Sequence, residues 1–297
     1  MVRRPLWAGC ARAWAFAVLA LLATALTGCE SLSFALANAP AHFGPFTRHA
    51  NLAYGPDRRQ RLDVYAPRRA HDAPVVVFWY GGSWQDGRRQ QYRFVGAALA
   101  SAGFVAVLPD YRLHPQVVFP AFVEDAARAY AWAAAHATQY GGDPAKMFVM
   151  GHSAGAHQAA MLALEPRWIE AAGGDPRGLR GLIGLSGPYV LTPNTPALNR
   201  IFAAPATLPD WQPVQHVTAS APPALLIHGL ADELVDPRQS ERLSAALAAA
   251  GVAVRYLKFA GRNHADTVAA LSVPARRRAP VLEEVRRFVR ERSGPSR

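Results

Sequence analysis

The stretch Gly151-His152-Ser153-Ala154-Gly155 constrains this chain more than any other. It joins an apolar run, Met147–Met150, to an Ala- and Leu-rich run, Ala154–Leu164. Glycines two residues to either side of a serine, between a strand and a helix, permit a sharp strand-to-helix turn on which the two backbones pass close together. Such a turn lifts the Ser153 hydroxyl above a sheet edge. It also aims the N–H of Ala154 at the place where a carbonyl oxygen would gain negative charge. The chain must therefore contain a sheet with helices packed directly on it.

The flanking sequence alternates in the same way. Val75–Tyr80 and Phe104–Leu108 are continuous apolar runs, as expected of strands buried on both faces. Leu182–Leu185, Ala224–His228 and Val252–Phe259 read as further strands, and Arg61–Tyr65 with the stretch before it as an early hairpin closed around Tyr54–Arg58. Helical spacing covers Arg88–Ala102, Phe119–Tyr140, Pro237–Ala250 and Val281–Arg290, with Gly103 and Gly141-Gly142 as stops. Strands alternating with helices of this length imply an α/β fold with a mostly parallel sheet covered on both faces. Gly187–Pro223 is Pro-rich and aperiodic and reads as a small cap. With 297 residues, 51% of them apolar, one large domain accounts for the chain.

A serine hydroxyl is a weak nucleophile until a base takes its proton, and His is the side chain suited to that near neutral pH. After Ser153 the candidates are His157, His216, His228 and His264. His157 lies one turn along the helix and reads as structural. His228 ends a strand and reads as loop-shaping, and His216 falls in the irregular segment. His264 lies in a loop after the last strand, from which an imidazole can reach over the serine. Among the acids after Ala224–His228, Asp232 is placed to orient that imidazole. Glu233 reads as solvated and Asp236 as the cap of the Pro237 helix. A His base predicts activity that falls in acid.

The order Ser153, Asp232, His264, with this elbow, resembles the α/β-hydrolase superfamily over roughly Val64 to Val289. Within it the chain resembles small carboxylesterases and the kynurenine-formamidase-like group, which carry an H-G-G-x-W segment after the third strand. This chain has Tyr80-Gly81-Gly82-Ser83-Trp84, with Tyr80 where the family has a loop-supporting His. The resemblance implies an oxyanion hole built from the N–H groups of Gly82, Ser83 and Ala154. Asp110-Tyr111-Arg112-Leu113 and Glu124-Asp125-Ala126 resemble hormone-sensitive-lipase-like esterases, with Asp110 and Arg112 expected to pin the loop after the fourth strand. Trp84 and Tyr189, with Phe202 and Trp211 beside them, are candidates to line the substrate pocket. The implied activity is a serine carboxylesterase acting on short- to medium-chain or aryl esters through an acyl-enzyme, with neither metal nor organic cofactor. An arylformamidase or other amidase, release of acetyl or feruloyl groups from polysaccharide, and an inactive hydrolase fold serving as a surface-anchored binding protein are the alternatives.

The first residues read as a targeting segment. Arg3, Arg4 and Arg12 precede the uncharged, largely apolar stretch Ala13–Leu26, too short for a membrane span of roughly 20 residues and suited to a signal peptide. Leu26-Thr27-Gly28-Cys29 resembles the lipobox of bacterial lipoproteins. That resemblance implies removal of residues 1–28, lipidation of Cys29 as a membrane anchor, and an exported protein on the periplasmic side. Glu30, rather than Asp, favours the outer membrane. Residues 29–43 then form a tether and 44–297 the hydrolase domain. The formal charge of +11 sits largely in Arg near the two ends. It is not interleaved with aromatics, so the charge points to solvated faces rather than nucleic acid. The substrate expected is a small-molecule ester.

Overall fold

The computed structural model describes residues 32–202 and 208–294. The expected signal segment and Cys29 lie outside the described residues. Among the described residues, eight strands form one sheet: β1 (Phe46–Ala53), β2 (Arg61–Pro67), β3 (Ala73–Trp79), β4 (Val105–Pro109), β5 (Gly142–His152), β6 (Leu179–Leu185), β7 (Ala224–Gly229) and β8 (Val254–Phe259). Their order is β1-β2-β4-β3-β5-β6-β7-β8. β1 and β2 make the expected hairpin and β2 runs antiparallel to β4, while every other pairing is parallel.

Burial follows position in the sheet. Val75–Trp79 and Val105–Leu108 are fully covered, because helices pack on both faces of the central strands. The edge strand β1 instead alternates and exposes Thr47, His49 and Ala50, polar or small groups that suit an unpaired edge. The helices are α1 (residues 32–38), α2 (Arg93–Ser101), α3 (Ala121–His136), α4 (Ala154–Leu164), α5 (Arg167–Ala171), α6 (Pro196–Ile201), α7 (Arg238–Ala249), α8 (Asp266–Ala269) and α9 (Val281–Ser293). Every residue of α4 is buried. Its small side chains let it lie against the middle of the sheet.

One segment differs from expectation. Residues 32–38, expected as part of a tether, are helical and run into a 3-10 turn at Ala39–His42. Asn38 fastens this helix to the start of α2: its Nδ2 donates to Gln91 O (2.9 Å), and Phe94 N donates to its Oδ1 (2.9 Å). Among the described residues, the Pro-rich stretch after Gly187 holds α6 and short 3-10 turns, as its lack of period implies. Gln239 of α7 ties it down through two hydrogen bonds with the backbone of Val190.

Candidate active site

The chemistry-bearing loops all leave the C-terminal ends of parallel strands, where α/β sheets place their sites. Tyr80–Trp84 follows β3, Ser153 follows β5, Asp232 follows β7 and His264 follows β8. Ser153 sits at φ 54°, ψ −123°, a sparsely populated conformation for a side-chain-bearing residue. The flanking glycines show why the turn needs them. A Cβ on Gly151 would lie 2.2 Å from the Gly155 carbonyl, and one on Gly155 would lie 2.1 Å from Trp79 O.

His264 and Asp232 meet as the sequence order predicts. His264 Nδ1 donates to Asp232 Oδ2 at 2.8 Å. A carboxylate only accepts, so Nδ1 carries the proton and Nε2 is left as the basic nitrogen. Asp232 accepts three further bonds, from Leu234 N (3.0 Å), Val235 N (2.9 Å) and His228 Nε2 (3.1 Å). Burial works against the charged carboxylate. The hydrogen bonds from His228, His264 and Val235 outweigh it and hold Asp232 well below the usual carboxylate range.

The two loops are stitched together through their backbones. Ala231 N donates to Arg262 O (2.9 Å) and Leu230 N to Phe259 O (2.9 Å). Gly229 allows this approach, because a Cβ there would lie 2.2 Å from Arg262 O. The His264 carbonyl accepts from His152 Nε2 (3.0 Å) and from Thr267 Oγ1 (3.2 Å). Burial, and then the neighbouring His264, push His152 down to about 3, so it is neutral with its proton on Nε2.

The candidate oxyanion loop is strained. Gly82, Ser83 and Trp84 all have positive φ, of 124°, 52° and 58°. A Cβ on Gly82 would lie 2.1 Å from Asp86 O, and one on Gly81 would lie 2.9 Å from the Ser153 Cβ. Among the described residues the N–H groups of Gly82 and Ser83 make no backbone hydrogen bond. Ala154 opens α4, where a helix N–H has no partner of its own. Tyr80 anchors this loop from below. Its hydroxyl donates to Asp110 Oδ1 (2.9 Å) and accepts from Arg59 Nη2 (2.9 Å). Its ring stacks between Tyr92 (5.4 Å) and Tyr111 (4.9 Å). As expected, Asp110 and Arg112 pin their loop, Asp110 through Arg89 and Arg112 through the buried Asp125.

Ser153 lies between two lobes that share Ser83, Ser153 and Leu234. One, of ≈ 430 Å³, is lined by His264, Tyr92, Phe94, Val268 and the α1 residues Ser33, Phe34 and Ala37. The other, of ≈ 450 Å³, is lined by Trp84, Ala154, Leu191 and Leu198. A groove of ≈ 850 Å³ runs along Arg68–Pro74 and Ser101–Phe104, at the N-terminal ends of β3 and β4 and away from all of these groups.

Of the two candidates for the substrate pocket, Trp84 lines a lobe beside Ser153, braced by Phe202 (4.9 Å) and His157 (5.2 Å). Tyr189 does not. It is fully buried and lines neither lobe, because Gly184 and Gly187 leave the volume that its ring fills. His157 is structural, donating to Trp211 O at 2.8 Å, and His216 pairs with Glu165 away from the site. His228, read as loop-shaping, proves to hold the triad acid directly. Its position four residues before Asp232 was the available signal. The roles of His152 and of α1 carried no local sequence signal.

Known proteins resemble the chain in both halves. A family model described as BD-FAE matches residues 62–171, which include Gly82, Ser83 and Ser153. One described as the prolyl oligopeptidase family matches residues 192–295, which include Asp232 and His264. The chain is 29% identical to a probable isoprenylcysteine alpha-carbonyl methylesterase of Arabidopsis thaliana, over 75% of this chain and 52% of that protein. It is 32% identical to the esterase LipQ of Mycobacterium tuberculosis, over 79% of this chain and 62% of that protein. It thus spans between half and two thirds of the length of these relatives. A truncated carbohydrate esterase from gut microbiota superposes with a TM-score of 0.73 at 21% identity, covering 84% of this chain and 97% of that one. An esterase of Thermogutta terrifontis with propionate bound superposes at 0.70 with 25% identity, covering 85% and 97%.

Proposed function

Because the chain belongs to the α/β-hydrolase superfamily, we propose that it is a serine carboxylesterase acting on short- to medium-chain or aryl esters through an acyl-enzyme. The observation that carries this reading is the 2.8 Å His264–Asp232 bond, made over the cavity that also holds the strained Ser153. Ser153 Oγ attacks the acyl carbonyl while His264 Nε2 takes its proton. The N–H groups of Gly82, Ser83 and Ala154 hold the oxyanion. Asp232 keeps the tautomer and stabilises the imidazolium. His264 then protonates the leaving alcohol, and water repeats the sequence on the acyl-enzyme.

That proton transfer orients the substrate. The leaving alcohol occupies the lobe that contains His264, and the acyl chain the lobe beside Ala154 and Trp84. The propionate bound to the Thermogutta terrifontis esterase supports short acyl chains. That relatives bear the name esterase supports the ester reading over the formamide one. The exported, lipid-anchored location is likewise a proposal, supported by the lipobox-like Leu26–Cys29. Among the described residues no helix is long and apolar enough to cross a membrane.

Assay of the full chain on p-nitrophenyl esters of two to eight carbons, with Ser153→Ala as control, tests the reading. The variant is expected to lose about 10⁶-fold in kcat, as when a serine nucleophile is removed elsewhere. A folded wild type inert towards all these esters would sink the ester reading and make N-formylkynurenine the next substrate to try.

A further inference from the structure

The catalytic cavity opens beside the first residues that the structure describes. Ser33, Phe34 and Ala37 of α1 wall the lobe that holds Ser153 and His264. Phe34 sets its ring edge-on to Tyr92 at 5.3 Å. An adjoining groove shares Ala37 and Phe94 with that lobe and runs on to Phe43, Val273 and Arg276. From Leu32 to Phe46 the chain has no Asp, Glu, Lys or Arg. Yet Leu32, Leu36 and Phe43 are 59%, 60% and 83% exposed. Leu234, which lines both lobes, and Val273 are exposed as well. Single exposed apolar side chains are ordinary, but a group of them around one opening is not.

The Val273 end of this face is basic. Arg278 is tied to Asp266, whereas Arg276 and Arg277 are exposed and have no ion-pair partner among the described residues. Apolar side chains flanked by free arginines fit an interface with anionic lipid. We propose that this face, formed by α1, Phe43, Leu234 and Val273, docks on an anionic bilayer, so that the catalytic mouth opens onto the membrane and takes amphiphilic esters from it. The proposal rests on the esterase and lipoprotein readings above. Its geometric basis is reach. Cys29 precedes Leu32 by three residues, and a chain extends at most ~3.6 Å per residue, so an anchor there lies within about 11 Å of α1. That is comparable to the Debye length of about 8 Å at physiological salt. A lipidated chain could not hold this face away from the headgroups.

The test uses the full chain, purified with its anchor and reconstituted in vesicles of phosphatidylglycerol and phosphatidylethanolamine. Leu36→Cys, Phe43→Cys and Arg177→Cys are labelled with a fluorophore, the unsubstituted chain setting the background. Arg177 lies just before β6, at the far end of the sheet. Quencher-bearing lipids should quench the labels at 36 and 43 several times more strongly than the label at 177. Equal quenching at all three positions would overturn the docking. Crosslinking of labels 36 and 43 between chains, without lipid quenching, would assign the face to a second copy and overturn it too. In the second arm, Leu36→Glu/Phe43→Glu should lower the ratio of turnover of a vesicle-borne long-chain ester to that of p-nitrophenyl acetate by about tenfold or more, as loss of two buried apolar side chains implies. An unchanged ratio would refute the proposal. If the wild type hydrolysed neither ester, the esterase reading would fall, and the quenching would still decide the docking.

Discussion

Replacing Tyr80 by Phe isolates the one residue at which the oxyanion segment departs from its family. Tyr80 is 1% exposed, and Phe keeps the ring between Tyr92 and Tyr111. Only the hydroxyl is lost, and with it the 2.9 Å bond to Asp110 and the 2.9 Å bond from Arg59. Burial and then the nearby Asp110 push this phenol well above its usual range, so it is a donor at every working pH. A hydrogen bond to a charged group contributes about 1.5–3 kcal/mol. Arg59 keeps Tyr111 O (2.8 Å) and Gly87 O (2.8 Å) as acceptors, so its share of the loss is small. Asp110 keeps both bonds from Arg89. Tyr80→Phe should therefore destabilise the chain by about 2 kcal/mol. In urea, with a slope of about 1–3 kcal/mol/M that does not change, the midpoint should drop by about 1 M. Turnover should fall only modestly, since Tyr80 lies behind Gly81-Gly82 and lines neither lobe. A midpoint equal to that of wild type would refute the wiring assigned to Tyr80. A loss of turnover beyond a hundredfold at full stability would make Tyr80 part of the chemistry.

Three more outcomes follow from the same geometry. His152 and His157 are buried and held near 3 and 4, so they fold neutral, while the unfolded chain protonates them near ~6.5. Their depressed folded values mean that stability is full above ~6.5 and is lost as pH falls towards 4, by up to about 1.4 kcal/mol per pH unit for each. Urea midpoints at pH 7 and pH 5 check this, and His157→Gln should flatten the fall. His228→Phe removes a 3.1 Å donor from Asp232, and the value of a charge-assisted bond, about 1.5–3 kcal/mol, sets an upper limit of about 10- to 150-fold on the loss of kcat/KM. A drop confined to KM would contradict the positioning role. Gly155→Val should yield no folded protein, because even a Cβ would lie 2.1 Å from Trp79 O. A native circular-dichroism spectrum from that variant would disprove the packing described for the elbow.

Local patterns decided most of what could be read in advance. Apolar runs and helical spacing marked the strands and long helices to within about five residues, because the covered faces of a parallel sheet leave no room for polar side chains. The glycines around Ser153 marked the elbow for the same steric reason. The order of Ser153, Asp232 and His264 along the chain is that of the superfamily the chain resembles. Tertiary packing decided the rest. Tyr189 reads as a pocket aromatic, but Gly184 and Gly187 make room for it in the core. His152 supports the triad only because the loop after β8 brings the His264 carbonyl, 112 residues further along the chain, within hydrogen-bond reach, whereas His228 meets Asp232 four residues on. Residues 32–42 have no charge and no long period of their own. Their helix and its place at the catalytic mouth depend on Asn38 meeting the first turn of α2 and on Phe34 meeting Tyr92, contacts between residues more than fifty positions apart that no local pattern encodes.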